Sequence, residues 1–185
     1  AYAEYRQCLQ VIAQRQPQSD FVLKCPDHLW FVDSLIKNFP DAAIVWTHRD
    51  PVASIASYCS LISLNWRLMY GRFDPVEVGR HIENRFLIGI ERAMAVRERV
   101  GEDMFFDVDF QTLCEDPVGV VGQITENFDL SEIPAESIHG YLDKKRQDAK
   151  GAHKYSIERY GLNPTRIHER YAAYIDRFQI PVKRV

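Results

Sequence analysis

Apolar positions along this chain recur with a helical period in some stretches and form short unbroken runs in others, and the two kinds alternate. Tyr5, Leu9 and Ile12 predict a helix over about 2–16, and Phe21-Val22-Leu23 predicts a strand over 20–25 that Pro26 stops. A helix over 28–39, a strand over 42–48 and a helix over 51–64 follow, then a looser segment at Gly71 to Pro75. Ile82, Phe86, Ile90 and Met94 fall at i, i+4, i+8 and i+12, with Arg and Glu on other faces, which predicts a long amphipathic helix over 76–100 packed on a sheet. FFDVDF predicts a strand over 104–110. Helices near 117–128 and 134–147, a polar loop at 148–156 and a last helix over 164–178 complete the pattern.

Strands alternating with helices predict an α/β fold, a parallel sheet flanked by helices on both faces. About three strands is thin for that class. The opening residues AYAEYRQCLQVIAQRQ begin inside a helical pattern without an initiator Met, so the expectation is that more sheet lies upstream.

Composition narrows the function classes. The 185 residues suit one domain, without repeats, low-complexity tracts or a linker. A net charge of −3 argues against bulk nucleic-acid binding, so any anion site must be a local focus of positive charge. No apolar run reaches membrane-spanning length and no signal-peptide pattern opens the chain. Cys8, Cys25, Cys59 and Cys114 lack CxxC or metal-ligand spacing, and Cys25 and Cys59 lie in apolar runs. They are read as buried free thiols of a reducing compartment, which places the protein in the cytoplasm.

The stretch most suited to chemistry is DAAIVWTHRDPVASIAS, Asp41 to Ser57. A short run of β-formers meets His48 and Arg49, then Asp50, a good N-cap, and Pro51, a residue favoured at the first helical position. An Arg fork grips phosphate bidentately, and the hydroxyls of Ser54 and Ser57 add neutral donors along the new helix. Ligands of open α/β sheets bind at the carboxyl ends of strands, where this corner would lie. The equally simple reading is a capped helix with a surface Arg. Lys24 and His28 sit at the predicted end of the preceding strand, where a lysine would neutralise charge on a transferring group and a histidine would take a proton. Lys150, Gly151, His153 and Lys154 form a short basic loop whose glycine admits a close ligand, although such loops are more often solvated surface. Phe110, closing FFDVDF, offers a ring to flank a base or simply a core aromatic.

Taken together and in this order, these pieces resemble sulfotransferases that use phosphoadenosine phosphosulfate (PAPS), most closely the bacterial, mycobacterial-type members. LKCPDHLWFVDSLIKNFPDAAIVWTHRDPVASIAS resembles their strand–helix–strand core, DVDFQTLCEDP a later strand and turn, and GAHKYSIERYGLNPTRIHERYAAYIDRFQIP their closing segment. The similarity covers residues 19 to 181. It implies a P-loop-NTPase-like fold in which Arg49 and Ser57, eight positions apart, hold the 3′-phosphate of the donor. Lys24 would contact the 5′-phosphosulfate, His28 or an upstream carboxylate would act as base, and Lys150, Gly151, His153 and Lys154 would close over the nucleotide. Phe110 stands where the family has a tyrosine, so a phenolic hydrogen bond is lost while a stacking face remains.

The family's opening strand and 5′-phosphosulfate loop have no counterpart here. The expectation is therefore that residues 1–185 are the C-terminal part of a sulfotransferase domain. The resemblance implies PAPS as donor and phosphoadenosine phosphate (PAP) as product, no metal, and a small-molecule or glycolipid hydroxyl acceptor. Trp66, Met69, Tyr70 and Phe73 would supply apolar walls for that acceptor, or are core. Homo-oligomerisation stays open. Two rival readings are a nucleotide-dependent phosphotransferase, with Asp50 near magnesium, and a non-catalytic nucleotide-binding or interaction module.

Overall fold

The computed structural model describes residues 1–15, 21–148 and 156–182. The chain divides into two compact units, Ala1–Ala43 with Ile88–Met104, and Ile44–Leu87 with Phe105–Val185.

In the first unit, helix α1 (Tyr2–Ala13) is followed by an extended segment, a 3-10 turn (Pro26–Phe31) and helix α2 (Val32–Asn38). The expected strand at 20–25 is not formed over its described residues, Phe21 to Cys25. A strand persists only as half of a hydrogen-bonded ladder. None of the described residues pairs with this segment, and its apolar side chains stand in solvent, Val22 at 94% exposure. Cys25 is consequently exposed rather than buried. The core of this unit includes Trp30, Val32, Ile90, Ala93 and Val96. Gly89 is required here, because a Cβ in its place would lie 2.6 Å from the Trp30 indole nitrogen.

The second unit holds the sheet. Strand β1 (Ile44–His48) pairs in parallel with β2 (Phe105–Asp109), from Ile44 opposite Phe105 to His48 opposite Asp109. The sheet has two strands among the described residues. Burial alternates along β1, with Val45 and Thr47 exposed and His48 buried, as a pleated strand covered on one face requires. Helix α3 (Pro51–Tyr70) runs six residues beyond the sequence expectation because Asn65 to Tyr70 contain no breaker; it stops at Gly71, whose φ of 75° suits glycine. Helix α4 (Pro75–Val100) contributes its first half to this unit and its second half to the other.

The chain then forms α5 (Phe110–Glu115), α6 (Pro117–Asn127) and α7 (Ala135–Asp148). Phe110 therefore opens a helix instead of closing a strand. The Asp109 carboxylate accepts from the Thr112 amide at 2.8 Å, and that cap ends β2 one residue early. The expected last helix is two pieces, α8 (Pro164–Arg170) and α9 (Ala172–Arg177), joined at Tyr171.

This second core is anchored by a buried acid. Glu83, on α4, is 1% exposed and its carboxylate is gripped by Arg166 and Arg170 of α8. The Tyr171 hydroxyl donates to the Glu83 backbone carbonyl at 2.6 Å. Close approach is also built in at Gly79, where a Cβ would lie 2.0 Å from the Tyr160 carbonyl oxygen.

Candidate functional site

The corner between β1 and α3 carries the best-formed constellation of candidate residues. Asp50 is the N-cap of α3, its carboxylate accepting from the Val52 amide at 2.9 Å, and Pro51 occupies the first helical turn. Those two features start a helix immediately after a strand, leaving only Arg49 between the strand's last residue and the cap. Pro51 has no N–H, the Val52 amide is committed to the Asp50 carboxylate and the Ser54 amide to the Asp50 carbonyl. Most of the helix's own anion-binding capacity is thus used internally. Positive charge at the corner has to come from the Arg49 side chain.

Arg49 is half-buried, with its guanidinium 4.6 Å from the centre of the Phe110 ring. Packing a planar cation on an aromatic face restricts its rotamers and sets the N–H donors in the plane of the fork, directed sideways from the ring. Phe110 remains 38% exposed, so its ring is not simply a core aromatic. Ser54 is half-buried and Ser57 exposed, and the three-residue spacing sets both hydroxyls on one side of α3.

Below the corner, His48 is only 4% exposed. Its Nε2 is 2.7 Å from Asp107 Oδ1 and its Nδ1 is 3.0 Å from the Tyr174 hydroxyl. The imidazole stacks on Phe178 with ring centres 4.1 Å apart, beside Trp46. With a neutral imidazole, the Asp107 carboxylate accepts from Nε2–H, and Nδ1 accepts from the Tyr174 O–H. Burial pushes the Tyr174 phenol well above its ordinary value, so it stays protonated. The Arg49 backbone N–H donates in turn to the Tyr174 oxygen. One residue further along, His168 Nε2 lies 3.0 Å from Asp50 Oδ1. Neither Tyr174 nor His168 stood out in the sequence. Their partners are more than a hundred positions away, and no local period reports such a pairing.

The other candidates lie elsewhere. Lys24 belongs to the exposed extended segment of the first unit, not to a strand end. His28 sits in the 3-10 turn, with Nδ1 2.7 Å from the Tyr2 hydroxyl. Burial lowers its pKa below the ordinary 6.5, only partly opposed by Asp27. A cavity of about 290 Å³ opens against His28, lined also by Tyr2, Tyr5, Cys25 and Phe31. Lys150, Gly151, His153 and Lys154 fall outside the described residues. Of the proposed acceptor walls, Trp66 packs edge-on against Tyr70 at 6.3 Å, whereas Met69 and Tyr70 are largely exposed. Among the described residues, no cluster of His, Cys, Asp and Glu could hold a metal ion, and no helix is long and apolar enough to cross a membrane.

Comparison with known proteins gives a consistent picture. The family model described as "Sulfotransferase family" matches residues 1–134. The crystal structure of sulfotransferase STF9 from Mycobacterium avium is 30% identical with a TM-score of 0.76, over 89% of this chain and 43% of that one. Sulfotransferase STF1 from Mycobacterium tuberculosis H37Rv is likewise 30% identical with a TM-score of 0.70, over 87% of this chain and 41% of that one. The chain thus spans about two fifths of the length of these structures. No curated protein matches it.

Proposed function

Because the chain belongs to the sulfotransferase family, we propose that it moves a sulfuryl group from PAPS to an acceptor hydroxyl and that the β1–α3 corner receives the donor's 3′-phosphate. The observation that carries this reading is Arg49, held over a partly exposed ring between a buried strand residue and a capped helix. A phosphate there would meet the guanidinium fork, with Ser57 as a neutral donor and the Phe110 face beside it for an adenine. The residues fit the group, since the Asp50 carboxylate is already engaged by the Val52 amide and His168, that of Asp107 by His48, and that of Asp109 by the Thr112 amide.

Sulfuryl transfer forms a bond from acceptor oxygen to sulfur as the bond from sulfur to the 5′-phosphate oxygen breaks. The electron pair leaves on PAP, and the acceptor proton must go to a base. Positioning and charge neutralisation supply most of the rate in such transfers. In this scheme Lys24 neutralises the leaving oxygen and His28 takes the proton. Burial keeps His28 neutral at physiological pH. The tautomer that serves a base donates Nδ1–H to the Tyr2 hydroxyl oxygen and keeps the Nε2 lone pair for the acceptor. The acceptor is a hydroxyl-bearing small molecule or glycolipid, the reaction is cytoplasmic, and Lys150, Gly151, His153 and Lys154, which fall outside the described residues, are assigned to nucleotide binding.

Calorimetric titration of the natural full-length protein with PAP tests the reading. Arg49→Ala should reduce affinity about thirtyfold to a thousandfold, the loss of a charge-assisted bidentate contact of about 2–4 kcal/mol. Ser57→Ala should cost less, because one neutral donor is removed. Unchanged PAP affinity in a folded Arg49→Ala protein would dispose of the 3′-phosphate assignment.

A further inference from the structure

Three consecutive residues, His48, Arg49 and Asp50, end β1 and begin α3, and the outer two are each held by a side chain from the α8–α9 pair. Tyr174 of α9 bonds His48 Nδ1 at 3.0 Å, and His168 of α8 bonds Asp50 Oδ1 at 3.0 Å. Phe178, just past α9, stacks on the His48 ring at 4.1 Å. Arg49 therefore stands between two residues that are each pinned to the α8–α9 pair. We infer that Tyr174 and His168 are positioning residues for Arg49, fixing the peptide planes on either side of it so that its guanidinium is presented in one direction. The inference rests on the reading of Arg49 as the 3′-phosphate ligand and adds to it a second layer that lies outside the corner itself.

The physical argument is one of entropy and direction. An arginine side chain has many rotamers, and binding through it is weakened by each one that must be given up. The Phe110 ring limits the far end of the side chain, at 4.6 Å from its guanidinium carbon. The near end is limited only if the backbone at Arg49 cannot rotate. A strand end whose ladder is finished, at His48 opposite Asp109, has lost one of the constraints that fix φ and ψ. Tyr174 restores it from the side: besides His48, its oxygen takes the Arg49 backbone N–H. Asp107, 2.7 Å from His48 Nε2, closes the other end of the chain of bonds on β2. His168 performs the matching task at the helix cap, holding the carboxylate whose bond to the Val52 amide defines where α3 begins.

The test is a comparison of two probes, PAP and adenosine 5′-phosphate, which differs from PAP by the 3′-phosphate alone. Titrations use the natural full-length protein. Tyr174→Phe keeps the ring and loses the hydroxyl; PAP affinity should fall about fivefold to tenfold while adenosine 5′-phosphate affinity changes less than about twofold. His168→Ala should give a smaller selective loss, and His168→Gln, whose amide can donate to Asp50, should recover it. A role confined to holding the fold would weaken both probes together or neither, and either pattern overturns the inference. If Tyr174→Phe does not yield folded protein, Asp107→Ala loosens the same bonds from the exposed face of β2 and carries the same expectation. Arg49→Ala in the same series separates the two levels. If it leaves PAP affinity unchanged, the phosphate reading has failed; if it abolishes PAP binding while Tyr174→Phe, or Asp107→Ala in its stead, leaves the ratio of the two probes unchanged, only the positioning role has failed.

Discussion

Lys24-Cys25-Pro26-Asp27-His28 and His48-Arg49-Asp50-Pro51 are written in nearly the same vocabulary: a cation, a proline, an aspartate and a histidine between β-formers and a helix. Their structures differ at every step. The second follows a strand that pairs with β2, its histidine is buried, and its aspartate caps a helix of 20 residues. The first follows a segment with no ladder, its aspartate lies inside the turn instead of at its N-cap, and what it enters is a six-residue 3-10 turn whose N-cap, Cys25, has no side-chain cap bond. Similar residue types give a strand-to-helix corner only where the strand before them is paired. Asp50 is held in addition by His168, 118 positions away.

The largest effect on this contrast should come from its remotest support. Glu83→Ala removes the buried acid that holds Arg166 and Arg170, and with them the α8 helix that carries His168. Breaking a buried ion cluster by deleting one partner should cost about 3 kcal/mol, read as a lower midpoint in urea or thermal unfolding. A midpoint equal to that of the parent would mean α8 is held by other contacts, and the rigidity of the second corner would need another source.

A pair of smaller substitutions compares the corners directly. Asp50→Ala should cost about 1–2 kcal/mol, the value of a lost N-cap and the His168 contact together. Asp27→Ala should fall within about 0.5 kcal/mol, as for an exposed residue that does not occupy the N-cap position. Equal costs in matched unfolding curves would erase the distinction between the two corners.

The smallest effect is one of pH. His28 has its pKa lowered by burial from 6.5, so the unfolded chain binds a proton there more readily than the folded one. Stability should therefore decline as pH falls below about 6.5 and level off below the lower folded value, and His28→Asn should remove that part of the slope. If His28 is also the base, the acid limb of turnover in the full-length protein should lie below 6.5, and the same substitution should lower kcat with PAP affinity unchanged. A pH-independent turnover in that range would move the base to another residue.

What the sequence made legible was the part encoded locally. Asp50-Pro51 marks a helix start within one residue of its observed place, and the apolar period from Ile82 to Met94 lies within one long helix. The cap formed by Asp109 and the Thr112 amide leaves no mark in the apolar pattern, so FFDVDF predicts a strand through Phe110 where a helix begins. The run Phe21-Val22-Leu23 has the composition of a strand, but a strand is a pairing and its composition names no partner. The buried contacts of His48 with Tyr174 and of Asp50 with His168 join residues 126 and 118 positions apart. Tyr174 and His168 look, in sequence, like any aromatic and any histidine on a short helix. Candidate ligands were thus visible one by one, whereas the side chains that orient them were not.

Those two separations also set a timetable. During synthesis β1 and the start of α3 emerge with more than a hundred residues still to be added before Tyr174 and His168 exist to meet them. Contacts of such long range are slow to form, since much of the chain must be ordered before they bring any gain. Refolding should accordingly show native-like helix content before any affinity for a 3′-phosphorylated nucleotide, and a ribosome-bound chain stopped short of α8 would own Arg49 without yet being able to aim it.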